Sequence, residues 1–342
     1  MMFGKIVSVF LTCFLLTLPL LHGQTAPVPA ADHHIHVRGE AGSEAFVRIL
    51  KKLEDRDIGT LPPVSPEQVI QALDAGDIDE GVILSSAYFF GIPDLSFDNE
   101  YEQVMAENDY TMDAARSYPE RLTAFISVNP LKGYAGKEIE RCASNQSGIG
   151  VKLHLANSGV DLRNPGHVDS LRTICNTASQ LELPVIIHLF TRNPDYGRKD
   201  ARIFIGQVLA EVPDLTIQVA HMGGAGLYTT NTDGVMMEFE QAVSEYPDVM
   251  DDDLVFDIAA SARNPENALS RGDTARAEAL RLSNTMLAEE IKQIGVQRVV
   301  FGTDWVGFSR APADFTETVQ SIPLSEQMIQ KLFENRAPYL EE

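Results

Sequence analysis

Cysteine is nearly missing from this chain, with three in 342 residues. Cys13 lies in an apolar leader, and Cys142 and Cys175 stand in no metal-type spacing. That argues against a thiolate metal cluster and a disulfide-built scaffold. The two later thiols read as buried or idle groups, with pairing in an oxidising compartment as the alternative. Positive charge is scarce as well: 27 lysines and arginines face 49 aspartates and glutamates, for a net charge of −22. A surface of that sign repels nucleic acid and anionic membrane, so neither is expected as a partner. After the leader there is no low-complexity tract, no obvious repeat, no stop-transfer pattern and no linker of domain-boundary quality. Tryptophan occurs once, at Trp305.

The leader itself reads as a secretory signal. Lys5 supplies a positive start, Ile6 to Leu21 is an almost continuous apolar run, and small and polar residues follow. Residues 1–26 are therefore expected to be a signal peptide and the start of a linker, with cleavage between His22 and Ala30. The competing reading is an uncleaved anchor helix, for which the run is short. Thr12 before Cys13 makes a poor lipoprotein box. The mature protein is expected to be exported, periplasmic or extracellular, and free of the membrane once the signal is removed.

Residues 27–342 alternate apolar, strand-like runs with longer helical patterns. Strands are expected near Ala31–Val37, Gly81–Ser85, Leu122–Val128, Ile149–Leu155, Val185–Phe190, Thr216–His221, Leu254–Ile258 and Arg298–Thr303. Several are short and bounded by Gly or Pro, as strands buried on both faces are. Ser65-Pro66-Glu67-Gln68 carries a helix cap, a Pro at the first helical position and an acid in the first turn. Helical spacing also runs through Asn99–Ser117, His167–Gln180, Ala201–Glu211, Thr274–Ile294 and Ser325–Phe333. Eight repeats of that alternation predict an α/β fold, a single-domain (β/α)8 TIM barrel. The segments Tyr88–Asn99, Phe190–Asp200 and Ser261–Arg271, after strands 2, 5 and 7, are expected to form the lip of a pocket.

In such barrels the reacting groups come from the C-terminal ends of strands. Asp32-His33-His34-Ile35-His36 puts His34 and His36 on one face of the first strand, so that both rings can reach one ion. Later apolar runs end in His188, His221 and Asp304. One histidine alone is more often a hydrogen-bonded core group than a ligand. Four at strand positions, with an aspartate, point to a catalytic divalent metal, most readily Zn, held by imidazole and carboxylate. His33 points away from His34 and reads as structural, His154 as a core histidine more than a pocket residue, and His167 as a surface group. Arg192 and Arg263 are candidate forks for a substrate carboxylate. Tyr88, Phe89, Phe90 and Trp305 are candidate pocket walls.

These motifs carry a resemblance. Asp32-x-His34-x-His36, Gly150-Val151-Lys152-Leu153-His154, the strand-end His188, His221-Met222-Gly223-Gly224 and Gly302-Thr303-Asp304-Trp305 resemble the amidohydrolase superfamily. The branch is the amidohydrolase-related (amidohydrolase 2) group of metal-dependent hydrolases and decarboxylases. Tyr118–Phe125 is similar to that branch's entry into strand 3, and Leu324–Leu340 to its final helix. The resemblance implies His34, His36 and His188 as metal ligands, and Asp304 as ligand and proton shuttle. It makes His221 a ligand to a second metal or a residue that polarises the substrate. Lys152 is either carboxylated and bridging two ions, or a lysine paired with a nearby carboxylate beside a single ion; one ion is favoured.

The expected activity is metal-dependent hydrolysis of an amide, ester or lactone in a small molecule, with metal-activated water as nucleophile. The alternative on the same scaffold is a metal-dependent, non-oxidative decarboxylase. A more distant one is a secreted binding protein without catalysis, against which the intact ligand set argues. A homo-oligomer is compatible with everything above.

Overall fold

The computed structural model describes residues 27–53, 55–146, 148–212, 214–245, 253–307 and 311–341. The expected signal peptide, residues 1–26, lies outside the described residues. Eight strands form one parallel sheet in sequence order: β1 (Ala31–His36), β2 (Glu80–Leu84), β3 (Leu122–Ser127), β4 (Ile149–His154), β5 (Val185–His188), β6 (Ile217–Val219), β7 (Leu254–Asp257) and β8 (Val299–Val300). Helices run between them, giving the (β/α)8 barrel. All eight expected strands are present; their starts agree to within one residue, and the larger differences lie at their C-terminal ends.

Those ends differ for a physical reason. The chain leaves β6 through a tight turn, Ala220–Gly223, in which His221 and Met222 take left-handed backbone angles. After β8 the chain leaves the ladder and bonds across to β1 instead. The amide of His33 donates to the Phe301 carbonyl at 2.9 Å, that of Asp304 to His34 at 2.8 Å, and that of His36 to Trp305 at 2.8 Å. These bonds close the barrel. Gly302 permits the approach, because a Cβ there would stand 3.0 Å from that of His34.

Side chains alternate across each strand. On β4, Ile149, Val151 and Leu153 pack outward under the helices, while Lys152 and His154 point into a cavity. Val82, Leu84, Phe125, Ile186 and Ala220 form an inner cluster, closed from below by Tyr339 and Leu340. The Phe125 ring occupies the space a side chain at Gly150 would need, with a Cβ there only 2.2 Å from it. The inside is thus a packed plug below and a polar chamber above.

The helix Pro66–Asp74 carries the expected cap, with Ser65 and Gln68 bonded reciprocally. Helices also cover Glu100–Ser117, Pro165–Gln180, Arg198–Gln207, Thr274–Ile294 and Glu326–Glu334. Among the described residues the longer helices Glu40–Leu53, Ala135–Asn145, Thr230–Glu245 and Pro312–Gln320, and the short Leu155–Ser158 and Glu266–Leu269, have no counterpart among the expected elements. Among the described residues, Cys142 and Cys175 are buried and form no disulfide. Among the described residues no helix is long and apolar enough to cross a membrane.

Candidate metal centre

The C-terminal ends of the strands open into a cavity of about 560 Å³. Its base holds His34, His36, Lys152, His154, His188, His221 and Asp304. Phe46, Ile49 and Leu53 of the helix Glu40–Leu53, with Tyr88 and Phe89, make an apolar wall. The chamber has the size and mixed lining of a small-molecule site.

Asp257, at the end of β7, organises the base. It is fully buried. Its Oδ2 faces His34 Nδ1 at 2.9 Å and accepts from Gln218 Nε2 at 2.7 Å. Its Oδ1 accepts the backbone N–H of His221 at 2.9 Å and of Ala259 at 3.0 Å. Burial alone would raise the Asp257 carboxyl, but His34 and His221 outweigh it and hold the group well below the usual carboxylate range. An ionised Asp257 keeps the His34 proton on Nδ1 and turns the bare Nε2 to the cavity. His221 is oriented likewise: its Nδ1 lies 2.6 Å from the Ala259 carbonyl, which turns Nε2 toward the cavity.

Asp304 lies opposite. Its Oδ1 is 3.3 Å from His36 Nε2 and 3.6 Å from His34 Nε2. Burial pushes its carboxyl up, and the hydrogen bond from His36 with the nearby His221 and His34 more than reverses the push, leaving it strongly acidic. Asp304 also has a left-handed φ of 58°. Together with left-handed His221 it places strained backbone at the site, as functional centres often do. Asp32 supports this edge by accepting from the amides of His34 and Thr303 and from the Thr303 hydroxyl, the last at 2.6 Å.

His34, His221 and Asp304 each offer one donor atom, and the three atoms lie within 4.8 Å of one another. That compact group contains His221 and leaves out His36 and His188, which the resemblance had offered as ligands. His36 adjoins it through Asp304. His188 stands further round the rim, its ring 5.0 Å from that of His221. Burial depresses His36 and His188 and takes His34 down to about 3, so these rings are neutral, as metal ligation requires.

Two buried polar atoms at the cavity have no hydrogen-bond partner among the described residues: Lys152 Nζ and His188 Nδ1. Burial pulls the Lys152 ammonium down to about 8, against the opposing pull of Asp257 and Asp304. A divalent ion with its water, or a substrate, would supply the missing partners. On donor chemistry and on these orphaned atoms, the residues fit a divalent cation.

Other candidates fall elsewhere. His154 does not sit in the core as expected. Register places it beside His188, the two rings stack at 3.9 Å, and both line the cavity. His33 is structural, bonding to the Phe301 carbonyl and the Ala337 amide. His167 is half-buried near the start of the helix Pro165–Gln180. Arg192 lines the cavity mouth and is held by Asn157 and Asp94. Arg263 does not reach the cavity, because its guanidinium folds back onto the carbonyls of Ala260 and Ala262. The segment Ser261–Arg271 accordingly gives no cavity-lining residue. Trp305 is buried in the core beside β1 rather than forming a pocket wall, since its backbone bridges to Ile35. Phe90 packs on Phe97 behind Tyr88 and Phe89.

Sequence reasoning missed Asp257, Gln218 and the cavity-lining Arg38. Asp257 had the same signal as His188 and His221, a ligand-type residue ending an apolar run. Arg38 continues the alternation of His34 and His36 by one more step; its guanidinium donates to the Val306 carbonyl at 2.9 Å and lies over Phe46.

An eight-stranded barrel with imidazoles and a carboxylate converging at the C-terminal ends of its strands defines a class of metal-site enzymes. The amidohydrolase family model matches residues 31–337, and the chain belongs to the amidohydrolase family. No curated protein matches it. Solved structures share the fold at low identity. One is a probable 2-pyrone-4,6-dicarboxylic acid hydrolase from Acinetobacter baumannii with bound citric acid, at 16% identity and TM-score 0.52, covering 90% of this chain and 99% of that one. A second is a 5-carboxyvanillate decarboxylase from Novosphingobium aromaticivorans with bound manganese, at 15% identity and TM-score 0.57, covering 92% and 97%. A third is an amidohydrolase from Burkholderia multivorans with bound zinc, at 12% identity and TM-score 0.55, covering 90% and 96%.

Proposed function

We propose that the chain is an exported metal-dependent hydrolase acting on an amide, ester or lactone of a small molecule. One observation carries the reading: the donor atoms of His34, His221 and Asp304, within 4.8 Å of one another at the base of a substrate-sized cavity. His34 and His221 would hold the ion through Nε2, with Asp304 completing the set and His36 and His188 alongside. One ion, most readily zinc, fits that single compact group. Bound there, it would supply Lewis acidity and a nucleophilic water near neutral pH.

The chain's own residues would do the rest. As water attacks the carbonyl carbon, Asp304 accepts its proton and passes it to the leaving nitrogen or oxygen while the C–N or C–O bond breaks. Unmodified Lys152 offers a buried cation to the oxygen that gains negative charge. A carboxylated Lys152 would instead join a second ion. Phe46, Ile49, Leu53, Tyr88 and Phe89 would exclude water and hold the apolar part of the substrate.

A second reading is favoured by Arg38 and Arg192, two cations lining the same cavity of an otherwise acidic protein. They would hold a carboxylated substrate for non-oxidative decarboxylation. The C–C bond to the carboxylate breaks, CO2 leaves, and the carbon takes a proton from a cavity acid.

The test is Asp304→Asn, assayed on a panel of small amides, esters, lactones and aromatic acids in isotope-labelled water. Turnover should fall by about 10²-fold or more with the circular dichroism unchanged. With the water labelled at oxygen, heavy oxygen in the organic product supports hydrolysis; CO2 release with no heavy oxygen in the organic product supports decarboxylation. A folded variant with undiminished turnover removes Asp304 from the mechanism.

A further inference from the structure

The chain's last described segment closes the barrel from below. Asn335 donates to the carbonyls of Val296 at 2.6 Å and Val299 at 2.8 Å. Arg336 reaches Glu80 at 2.6 Å. The Ala337 amide donates to His33 Nε2 at 3.1 Å. Tyr339 then enters the interior, its ring edge-on to Phe125 at 5.0 Å. Its hydroxyl donates to Oε1 of Gln218, a fully buried residue of β6.

Gln218 carries the contact upward. Its Nε2 donates to the His33 carbonyl at 3.2 Å and to Asp257 Oδ2 at 2.7 Å. The sense of this amide matters. Turned over, Oε1 would face a carbonyl and a carboxylate, two acceptors with no proton between them. With the amide set by those two acceptors, Oε1 is left facing the Tyr339 hydroxyl, which donates to it. Asp257 in turn has four donors on its two oxygens, and one of them is the ring of His34.

We propose that Tyr339 and Gln218 are positioning residues of the metal centre, joining the barrel floor to His34 and His221 through Asp257. The inference rests on reading the cavity as a metal site. In this arrangement the tail holds an amide in place, the amide satisfies a carboxylate, and the carboxylate aims one ligand ring and fixes the backbone of another. Such partners behind the ligands commonly change metal affinity by about 10- to 100-fold when removed.

The experiment compares zinc affinity, by chelator competition, in the full chain and two variants, and records the melting temperature of each in excess chelator. Tyr339→Phe removes the hydroxyl and keeps the ring on Phe125; it should weaken zinc binding by about tenfold. Leu340→Ala damages packing at the same floor and leaves the hydrogen-bonded chain in place. It should lower the melting temperature of the metal-free protein and change zinc affinity less than twofold. Wild-type affinity in Tyr339→Phe overturns the inference while the metal site stands. Equal losses in both variants also overturn it, because the tail would then act through packing alone. A wild-type protein that binds no zinc removes the metal reading and this inference with it.

Discussion

His34 and Asp257 are 223 positions apart in the chain and 2.9 Å apart in the barrel. The contact fixes a proton. With Nδ1–H committed to a buried carboxylate, the lone pair of His34 can only point from Nε2 into the cavity. The same carboxylate takes the backbone N–H of His221, which holds that residue in its left-handed turn. One side chain thus positions two of the three groups that converge there.

Asp257→Asn should therefore damage the site more than its small size change suggests. In either rotamer the new NH2 would meet donors, Gln218 and His34 on one side or the amides of His221 and Ala259 on the other, in a fully buried place. A loss of about 3 kcal/mol in stability is expected, with zinc affinity weakened by at least about tenfold. Urea denaturation and metal titration measure the two effects separately. Unchanged values for both would show that Asp257 neither supports the fold nor aims His34.

Stability should also depend on pH through Glu107, a buried residue of the helix Glu100–Ser117 that accepts the Gly39 amide at 3.0 Å. Burial pushes its carboxyl from 4.5 up to about 7, with Gly39, Arg38 and Gly42 opposing. The folded state therefore holds this proton at pH values where the unfolded chain has released it. Stability falls as pH climbs from about 4.5 to about 7, by about 3 kcal/mol from this group. Glu107→Gln keeps an acceptor for Gly39 and removes the titration. Its unfolding free energy should fall less than that of the parent between pH 4.5 and 7.5. Parallel curves would rule out the raised carboxyl.

Much of this architecture was legible in the residues. The eight strands are short apolar runs buried on both faces, and their length, with Gly or Pro bounding several of them, marks them without knowledge of the fold. The unexpected helices tell the opposite story. Glu40–Leu53, Ala135–Asn145 and Thr230–Glu245 each contain a glycine, at Gly42, Gly136 and Gly234. Glycine weakens local helix preference, so packing on the barrel decides these segments. At the site, His34, His221 and Asp304 could be named because each lies in or just after an apolar strand. Their grouping could not, since the left-handed turns at His221 and Asp304 re-aim both side chains after their strands end. Trp305 and Arg263 went astray for a related reason. Each follows its strand closely, and proximity in sequence did not fix which way the side chain turned.

The most direct measurement is an anomalous diffraction map, at the zinc edge, of protein grown with zinc and purified without chelator. One peak per chain is expected in the cavity, about 2.0–2.2 Å from Nε2 of His34, Nε2 of His221 and a carboxylate oxygen of Asp304. A map with no peak there, or with the ion bound elsewhere and these three side chains bonded only to one another, would contradict that expectation.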